Sequence, residues 1–185
     1  MQHPDILAID SHGHARSWLS VEEAAVAYVK GDIVDDSAGT HITTLRGGVN
    51  AGSGLRSQLS IRSIVFVRGH AQKPTAFAPR PTRFTLFKRD HGMCAYCGKV
   101  ADHPTAEHVL PESRGGAYTW TNLVTACRRC NTRKAARTPE EAGMPLLYVP
   151  YRPVRSEWMI LSGRRVLADQ MEFLRASLPA TSRHR

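Results

Sequence analysis

Four cysteines stand in two closely spaced pairs near the middle of the 185-residue chain. Cys94 and Cys97 form one C-x-x-C pair, Cys127 and Cys130 form the other, and 29 residues separate them. Thiolates at this spacing converge on one tetrahedral ion with Zn–S distances of about 2.3 Å. We therefore predict a Zn²⁺ site, and because four sulfurs close the coordination sphere, we expect the zinc to be structural. Two disulfides, or cysteines scattered in a core, are the competing interpretations, and a single redox dithiol is a weaker one.

A second group of polar residues lies between and just after these pairs. Glu107 and His108 are adjacent, Asn122 follows His108 by 14 positions, and Asn131 follows Asn122 by 9. An imidazole suits a general base near neutral pH, and carboxylate and amide oxygens are hard ligands for Mg²⁺ or Mn²⁺. An imidazole and such ligands could together supply an activated water and a bound cation, as metal-assisted hydrolysis requires. Ordinary surface polar groups are the alternative interpretation.

The segment that carries these residues resembles the HNH endonucleases of the ββα-metal type, in the subgroup whose finger is braced by a Cys₄ zinc. The matching motifs are R-D-x-G-x-C-x-Y-C-G, H-V-x-P-x-S-R-G-G, T-W-x-N-L-V-T-A-C-x-x-C-N-x-R-K and R-T-P-E-E-A-G-M, which begin at Arg89, His108, Thr119 and Arg137. The resemblance covers about 60 residues. It implies a metal-dependent endonuclease that cuts DNA and leaves 5′-phosphate and 3′-hydroxyl ends.

The resemblance also implies a role for each polar residue. His108 takes the position of the general base, and Glu107 and Asn131 take the positions of the two protein ligands of the catalytic divalent ion. Asn122 matches the middle Asn, which fixes the loop between the strands and orients the base. The chain departs from the usual family pattern at Glu107, where the family commonly has Asp, and Asn131 stands where other members have His.

The positive charge of the chain is concentrated around these motifs. The formal net charge is +9, and residues 80–139 contribute +7 of it. This excess favours an anionic partner, with nucleic acid ahead of a membrane. The resemblance implies that the nucleic acid is DNA, and RNA stays open as a substrate. We expect several basic side chains to contact the phosphate backbone, namely Arg114, Arg128, Arg129, Arg133, Lys134 and Arg137.

We predict an α+β chain in three segments. An α+β leader spans residues 1–79, the zinc-stapled ββα-metal module spans 80–145, and an extension with an amphipathic helix and a basic tail spans 146–185. The Pro-rich stretch Lys73–Pro81 marks the first boundary. Within the module we expect two strands, at 106–110 and 122–126, and a basic helix at 131–137.

The flanking segments contain clear helix signals. Ser20 with Glu23 forms a capping box for a helix that ends at Gly31, and Thr138-Pro139 begins a short helix. Apolar periodicity predicts a further helix from Val166 to Leu178, with a disordered tail after it. We expect strands at 6–9, 33–34, 41–46 and 59–67.

Two functions from different classes remain open at this point. One is the HNH endonuclease. The other is a catalytically silent zinc module that only binds nucleic acid, with Glu107 as a sign of lost activity. The leader could also bring the module to a protein partner. The amino terminus has no secretory pattern, so we expect a cytoplasmic location.

Overall fold

A computed structural model describes residues 3–69 and 79–185, so most of the expected Pro-rich boundary lies outside the described residues. Two compact units are present instead of three consecutive segments. One combines the amino-terminal residues with Arg155–Pro179, and the other combines residues 79–154 with Ala180–Arg185. The expected carboxy-terminal extension is therefore divided, because its helices belong to the first unit and its last residues to the second.

The first unit is built on a four-stranded sheet in the order β2-β1-β6-β3. Its strands are β1 (Ile6–Ile9), β2 (Ala15–Leu19), β3 (Ile33–Asp35) and β6 (Ile64–Val67). β1 pairs antiparallel with β2 and parallel with β6. Because β1 is central, its four residues are all buried.

Side chains of β1 alternate between two apolar clusters. Leu7 and Ile9 pack with residues of α5 (Arg155–Ser162) and α6 (Ala168–Ala176), whereas Ile6 and Ala8 pack with α1 (Val21–Lys30). The period of two along a strand explains this division. The carboxy-terminal helices thus belong to the unit because they cover one face of its sheet.

Local sequence signals predict the positions of α1 and α6 correctly, and α6 lies inside its predicted range of 166–178. Ser20 and Glu23 form the predicted capping box, and Gly31 adopts φ 74° at the carboxyl end of α1. The predicted strand at 59–67 is instead two strands, since Ser63 separates β5 (Arg56–Arg62) from β6. β5 forms a hairpin with β4 (His41–Val49).

The second unit contains a two-stranded hairpin with helices on either side in sequence. The hairpin consists of β7 (Pro104–His108) and β8 (Leu123–Cys127), and each strand begins within two residues of its predicted position. The helices are α2 (Arg83–Arg89), α3 (Arg128–Lys134) and α4 (Pro139–Ala142). The basic helix thus begins three residues earlier than expected, directly after β8. Among the described helices, none has both the length and the apolar character that crossing a bilayer requires.

The fully buried guanidinium of Arg89 links these elements. It donates to both carboxylate oxygens of the buried Asp90, and to the backbone carbonyls of Trp120, Leu123 and Tyr151 at 2.8–2.9 Å. Asp90 in turn accepts from the Thr125 amide at 2.8 Å. Bidentate pairing and complete hydrogen bonding make such a buried charge tolerable. The Arg-Asp dipeptide therefore ties α2 to β8.

The last six residues pack against the second unit, unlike the disordered tail expected from sequence. The Arg183 guanidinium lies 4.0 Å from the centre of the Tyr148 ring, and the His184 and His91 rings are 4.4 Å apart. Burial, together with the charge on His91, lowers the pKa of His184 to about 4. These contacts with aromatic side chains explain why the last six residues have a defined position, which their composition does not predict.

Candidate functional site

The four cysteines converge at one end of the hairpin. Their sulfur atoms all lie within 4.8 Å of one another, and the Cys97 and Cys127 sulfurs are 4.0 Å apart. A tetrahedral ion with 2.3 Å bonds requires sulfur–sulfur distances of about 3.8 Å. The donor set therefore fits one zinc ion after small side-chain rotations. Within the described part of the chain, this is the one His, Cys, Asp and Glu cluster arranged to hold a metal.

Backbone geometry shapes the first cysteine pair. The Gly98 amide donates to the Cys94 carbonyl at 2.9 Å, and Gly98 has φ 73°, a conformation that glycine adopts without strain. Burial opposes ionisation of Cys94, but hydrogen bonds from backbone amides outweigh it and lower its pKa to about 7. Burial raises the pKa of Cys130. A bound cation is what would keep all four groups as thiolates.

The catalytic candidates lie where β7 faces α3. Thr105 and Glu107 are two positions apart on the strand, and Asn131 and Lys134 are three positions apart on the helix, so each pair shares one face. The Asn131 amide nitrogen donates to Thr105 Oγ1 at 2.9 Å, and the Lys134 ammonium donates to Glu107 Oε1 at 2.6 Å. These contacts bring Glu107 and Asn131 to the same strand–helix junction.

Lys134 does not lie on the surface where we expected a phosphate contact. It is fully buried, and its ammonium also donates to the His108 backbone carbonyl at 2.7 Å. Glu107 is 7% exposed. The physical reason is the helical spacing, which turns Lys134 toward the strand while Arg133 is directed to solvent. Lys134 is thus part of the candidate site rather than of the basic surface.

Asn122 fixes the loop between the two strands through three hydrogen bonds. Its Oδ1 accepts from the Leu110 amide at 2.8 Å, and its Nδ2 donates to the carbonyls of Leu110 and Ala117 at 3.1 and 3.0 Å. Gly116 lies against this clamp, since a Cβ there would come within 1.8 Å of the Leu110 carbonyl oxygen. The second glycine of the Gly-Gly pair in the motif therefore has a steric reason.

His108 ends β7 beside this loop. Its ring is partly buried and meets the Tyr118 ring at 5.8 Å between centres and 66° between planes. Edge-to-face contact of this kind restrains the orientation of an imidazole. His108 is adjacent in sequence to Glu107, and its carbonyl shares the ammonium of Lys134 with that carboxylate.

The remaining basic candidates differ in what their side chains contact. Arg128, Arg129 and Arg133 are exposed on α3. Arg137 donates to the Arg133 carbonyl at 2.6 Å, which satisfies the carboxyl end of the helix. Arg114 forms an exposed ion pair with Glu141 at 2.5 Å, and this pair raises the pKa of Arg114.

Comparison with known families adds an independent observation to this geometry. Residues 94–147, which include both cysteine pairs and the β7–α3 junction, match the family model for HNH endonuclease. The match assigns this segment to the HNH endonuclease family. The family comprises nucleases in general, so the HNH module indicates a nuclease-type function. No curated protein and no solved structure gives a significant match to the chain.

Sequence reasoning missed two features of the HNH module. One is the buried Arg89–Asp90 pair, whose signal was the R-D dipeptide at the start of the first motif. The other is the buried Lys134–Glu107 pair, since Lys134 resembled the exposed arginines around it. The available signal was the spacing on the helix, since Lys134 follows Asn131 by three positions and therefore lies on the same face.

Proposed function

We propose that this protein is a metal-dependent HNH endonuclease that hydrolyses phosphodiester bonds in DNA. The observation that carries the proposal is the β7–α3 junction, where Asn131 bonds to Thr105 and Lys134 bonds to Glu107, inside a segment that matches the family. His108 follows Glu107 on β7, and its backbone carbonyl also accepts from Lys134. The concentration of positive charge in residues 80–139 supports a polyanionic substrate.

Zinc has a structural role in this proposal. Four cysteine sulfurs leave no open position for water or substrate, and the pairs join the turn before β7 to the start of α3. The experiment is metal analysis of the purified full chain, for which we expect one tightly held zinc. Cys97→Ser should release the ion and lower the unfolding temperature, whereas Ser113→Ala, outside the cluster, should do neither. Full zinc content in Cys97→Ser would contradict the assignment.

Mg²⁺ or Mn²⁺ fits the donor set at the junction. Glu107 offers a carboxylate and Asn131 an amide oxygen, both hard ligands, and such ions keep several positions for water and phosphate. When bound, the cation would neutralise charge on the phosphate oxygens. Thr105 orients Asn131 by accepting from its nitrogen, which leaves the amide oxygen as the ligand atom. Lys134 holds Glu107 Oε1, so Oε2 is the oxygen through which Glu107 would bind.

His108 acts as the general base in the proposed reaction. The imidazole takes a proton from the attacking water, and the edge of Tyr118 restrains the ring while it does so. Asn122 maintains the loop that follows the base. The exposed arginines of α3 hold the DNA backbone at this side of the module.

A nicking assay tests the proposal. Supercoiled plasmid is incubated with the zinc-loaded full chain, with and without added Mg²⁺ or Mn²⁺. We expect nicked circles to form before linear DNA, because one site per chain cuts one strand per event. His108→Ala should lower the rate about 10²- to 10⁴-fold, the usual contribution of a general base. His103→Ala, an exposed histidine of the same unit, is the matched control. Equal residual activity in wild type and His108→Ala would refute the mechanism.

A zinc-stabilised module that binds nucleic acid without cutting it is the second candidate. The observation that favours it is the satisfied Lys134–Glu107 pair, since the carboxylate already has a cationic partner. This candidate predicts salt-dependent binding and no nicking at any enzyme or metal concentration. The same plasmid assay, run beside a binding titration, separates the two.

A further inference from the structure

A cleft of about 470 Å³ lies beside the HNH site, within the second unit. Its walls come from residues 117–121, at the end of the loop that Asn122 fixes, from residues 79–81 before α2, and from Arg152. Tyr118 is 42% exposed and offers its ring to the cleft, while Trp120 is 4% exposed and packs in the wall. The size lies within the range of small-ligand sites.

Hydrogen bonds hold the walls of this cleft in place. The Trp120 indole donates to the Pro79 carbonyl at 2.7 Å, and the Trp120 carbonyl accepts from Arg89 at 2.8 Å. The Ala117 carbonyl accepts from Asn122 at 3.0 Å. The cleft therefore exists before any ligand binds, which reduces the ordering cost of binding.

The charge at the cleft favours an anion. Arg80 and Arg152 are exposed and line it, and no described residue in its lining is acidic. An aromatic ring with arginines beside it is the combination that binds an unpaired base by stacking and its phosphates by charge.

The cleft adjoins the proposed general base. Tyr118 belongs to its wall and also contacts His108, with 5.8 Å between the ring centres. A nucleotide stacked on Tyr118 would therefore place its own phosphate or the next one near the imidazole. In a paired duplex the bases are stacked inside the helix and cannot enter such a cleft without being flipped out.

We propose that this cleft is a subsite for one unpaired nucleotide of DNA next to the phosphate that is cut. The inference deepens the proposed nuclease function and rests on it for the position of the cut. It names the substrate class as DNA with an unpaired nucleotide at the cutting site, such as a single strand or a bubble in a duplex.

Binding to three labelled DNA probes of one sequence tests the inference. The probes are a single strand, its full duplex, and a duplex with a central four-nucleotide bubble, titrated with the zinc-loaded full chain without Mg²⁺ or Mn²⁺. Wild type should bind the bubble more tightly than the duplex. Tyr118→Ala should weaken bubble binding by about tenfold, the scale of losing one stacked base, and leave duplex binding unchanged.

Matched variants exclude general effects of losing an aromatic ring or a charge. Phe84→Ala removes an exposed ring that does not line the cleft, and it should leave all three affinities unchanged. Arg152→Ala should weaken bubble binding more than Arg164→Ala, which removes the same charge from the first unit. Because Arg152 is exposed, Arg152→Ala should not lower stability, so this comparison still tests the inference if Tyr118→Ala is unstable.

Two results would overturn the inference. One is equal affinity of wild type for bubble and duplex, and the other is an equal effect of Tyr118→Ala on both. The plasmid assay distinguishes failure of the subsite inference from failure of the proposed nuclease function. Nicking that depends on His108 without bubble preference refutes the subsite alone. A Tyr118-dependent bubble preference without nicking supports the binding subsite and refutes the nuclease.

Discussion

Replacing Lys134 by Met tests how the HNH site is held together. The Lys134 side chain is fully buried, and the Glu107 side chain is 9% exposed, with 2.6 Å between ammonium and carboxylate. Methionine keeps an unbranched chain but has no charge and no donor. The substitution therefore leaves a nearly buried carboxylate and the His108 carbonyl without their common donor.

The expected loss of stability follows from that geometry. Removing one partner of a buried ion pair costs about 3–5 kcal/mol, because the remaining charge stays desolvated. For a unit of this size the unfolding temperature should fall by at least about 10 °C. Lys134→Met with Glu107→Gln should be more stable than Lys134→Met alone by at least about 1 kcal/mol, because no buried charge remains.

Urea and thermal unfolding of the zinc-loaded protein provide the measurement, with Arg133→Met as control. Arg133 is the adjacent exposed residue of the same helix, so its loss should change the unfolding free energy by less than about 0.5 kcal/mol. Mn²⁺ should stabilise Lys134→Met more than wild type, because the ion can neutralise the freed carboxylate. A Lys134→Met loss within about 1 kcal/mol of the control would refute the reasoning.

Three further predictions address other contacts. Asn122→Ala should lower the unfolding free energy by about 1–3 kcal/mol and slow nicking, because the loop loses three hydrogen bonds. Asn122→Asp should be intermediate, because it keeps the acceptor. A urea unfolding curve of Asn122→Ala identical to that of wild type would contradict the role of Asn122 in fixing the loop. Arg89→Lys should cost about 2–6 kcal/mol, because an ammonium has three donors and leaves at least two of the five buried acceptors of Arg89 unpaired. Arg114→Lys should leave the unfolding free energy almost unchanged, since its ion pair is exposed; equal losses for the two variants would rule out this contrast. Burial and then His91 lower the pKa of His184 to about 4, below the unfolded value near 6.5, so the unfolded chain binds the extra proton between these values. Stability should therefore be full above about pH 6.5 and fall toward pH 4. Unfolding temperatures across this range should depend less on pH in His184→Leu, and identical profiles would contradict the assignment.

Local signals were sufficient for several elements and for the cysteine cluster. The capping box at Ser20 and the Thr138-Pro139 start are formed within a few consecutive residues, so their physical cause is visible in sequence. The same holds for the C-x-x-C pairs, because each brings two sulfurs to one turn. The convergence of the two pairs is confirmed by the structure.

Contacts between distant residues were less visible. The run at 59–67 reads as one strand by composition, but Ser63 interrupts it, and its backbone carbonyl accepts from Leu7 and Gln170. The apolar pattern of the carboxy-terminal helices does not indicate whether they pack on the leader or on the module. Their apolar faces cover the sheet of the first unit.

The sequence by itself determined the cysteine ligands, the order Glu107, His108, Asn122, Asn131, and the concentration of positive charge around them, because these depend on residue type and spacing. Only the tertiary structure decided that Lys134 faces inward to Glu107 while Arg133 faces solvent, and that Tyr118 lies between His108 and an open cleft. Residue type does not distinguish a buried lysine from an exposed one. The packing of α3 on β7 makes that distinction, since it determines which helical positions lose contact with water.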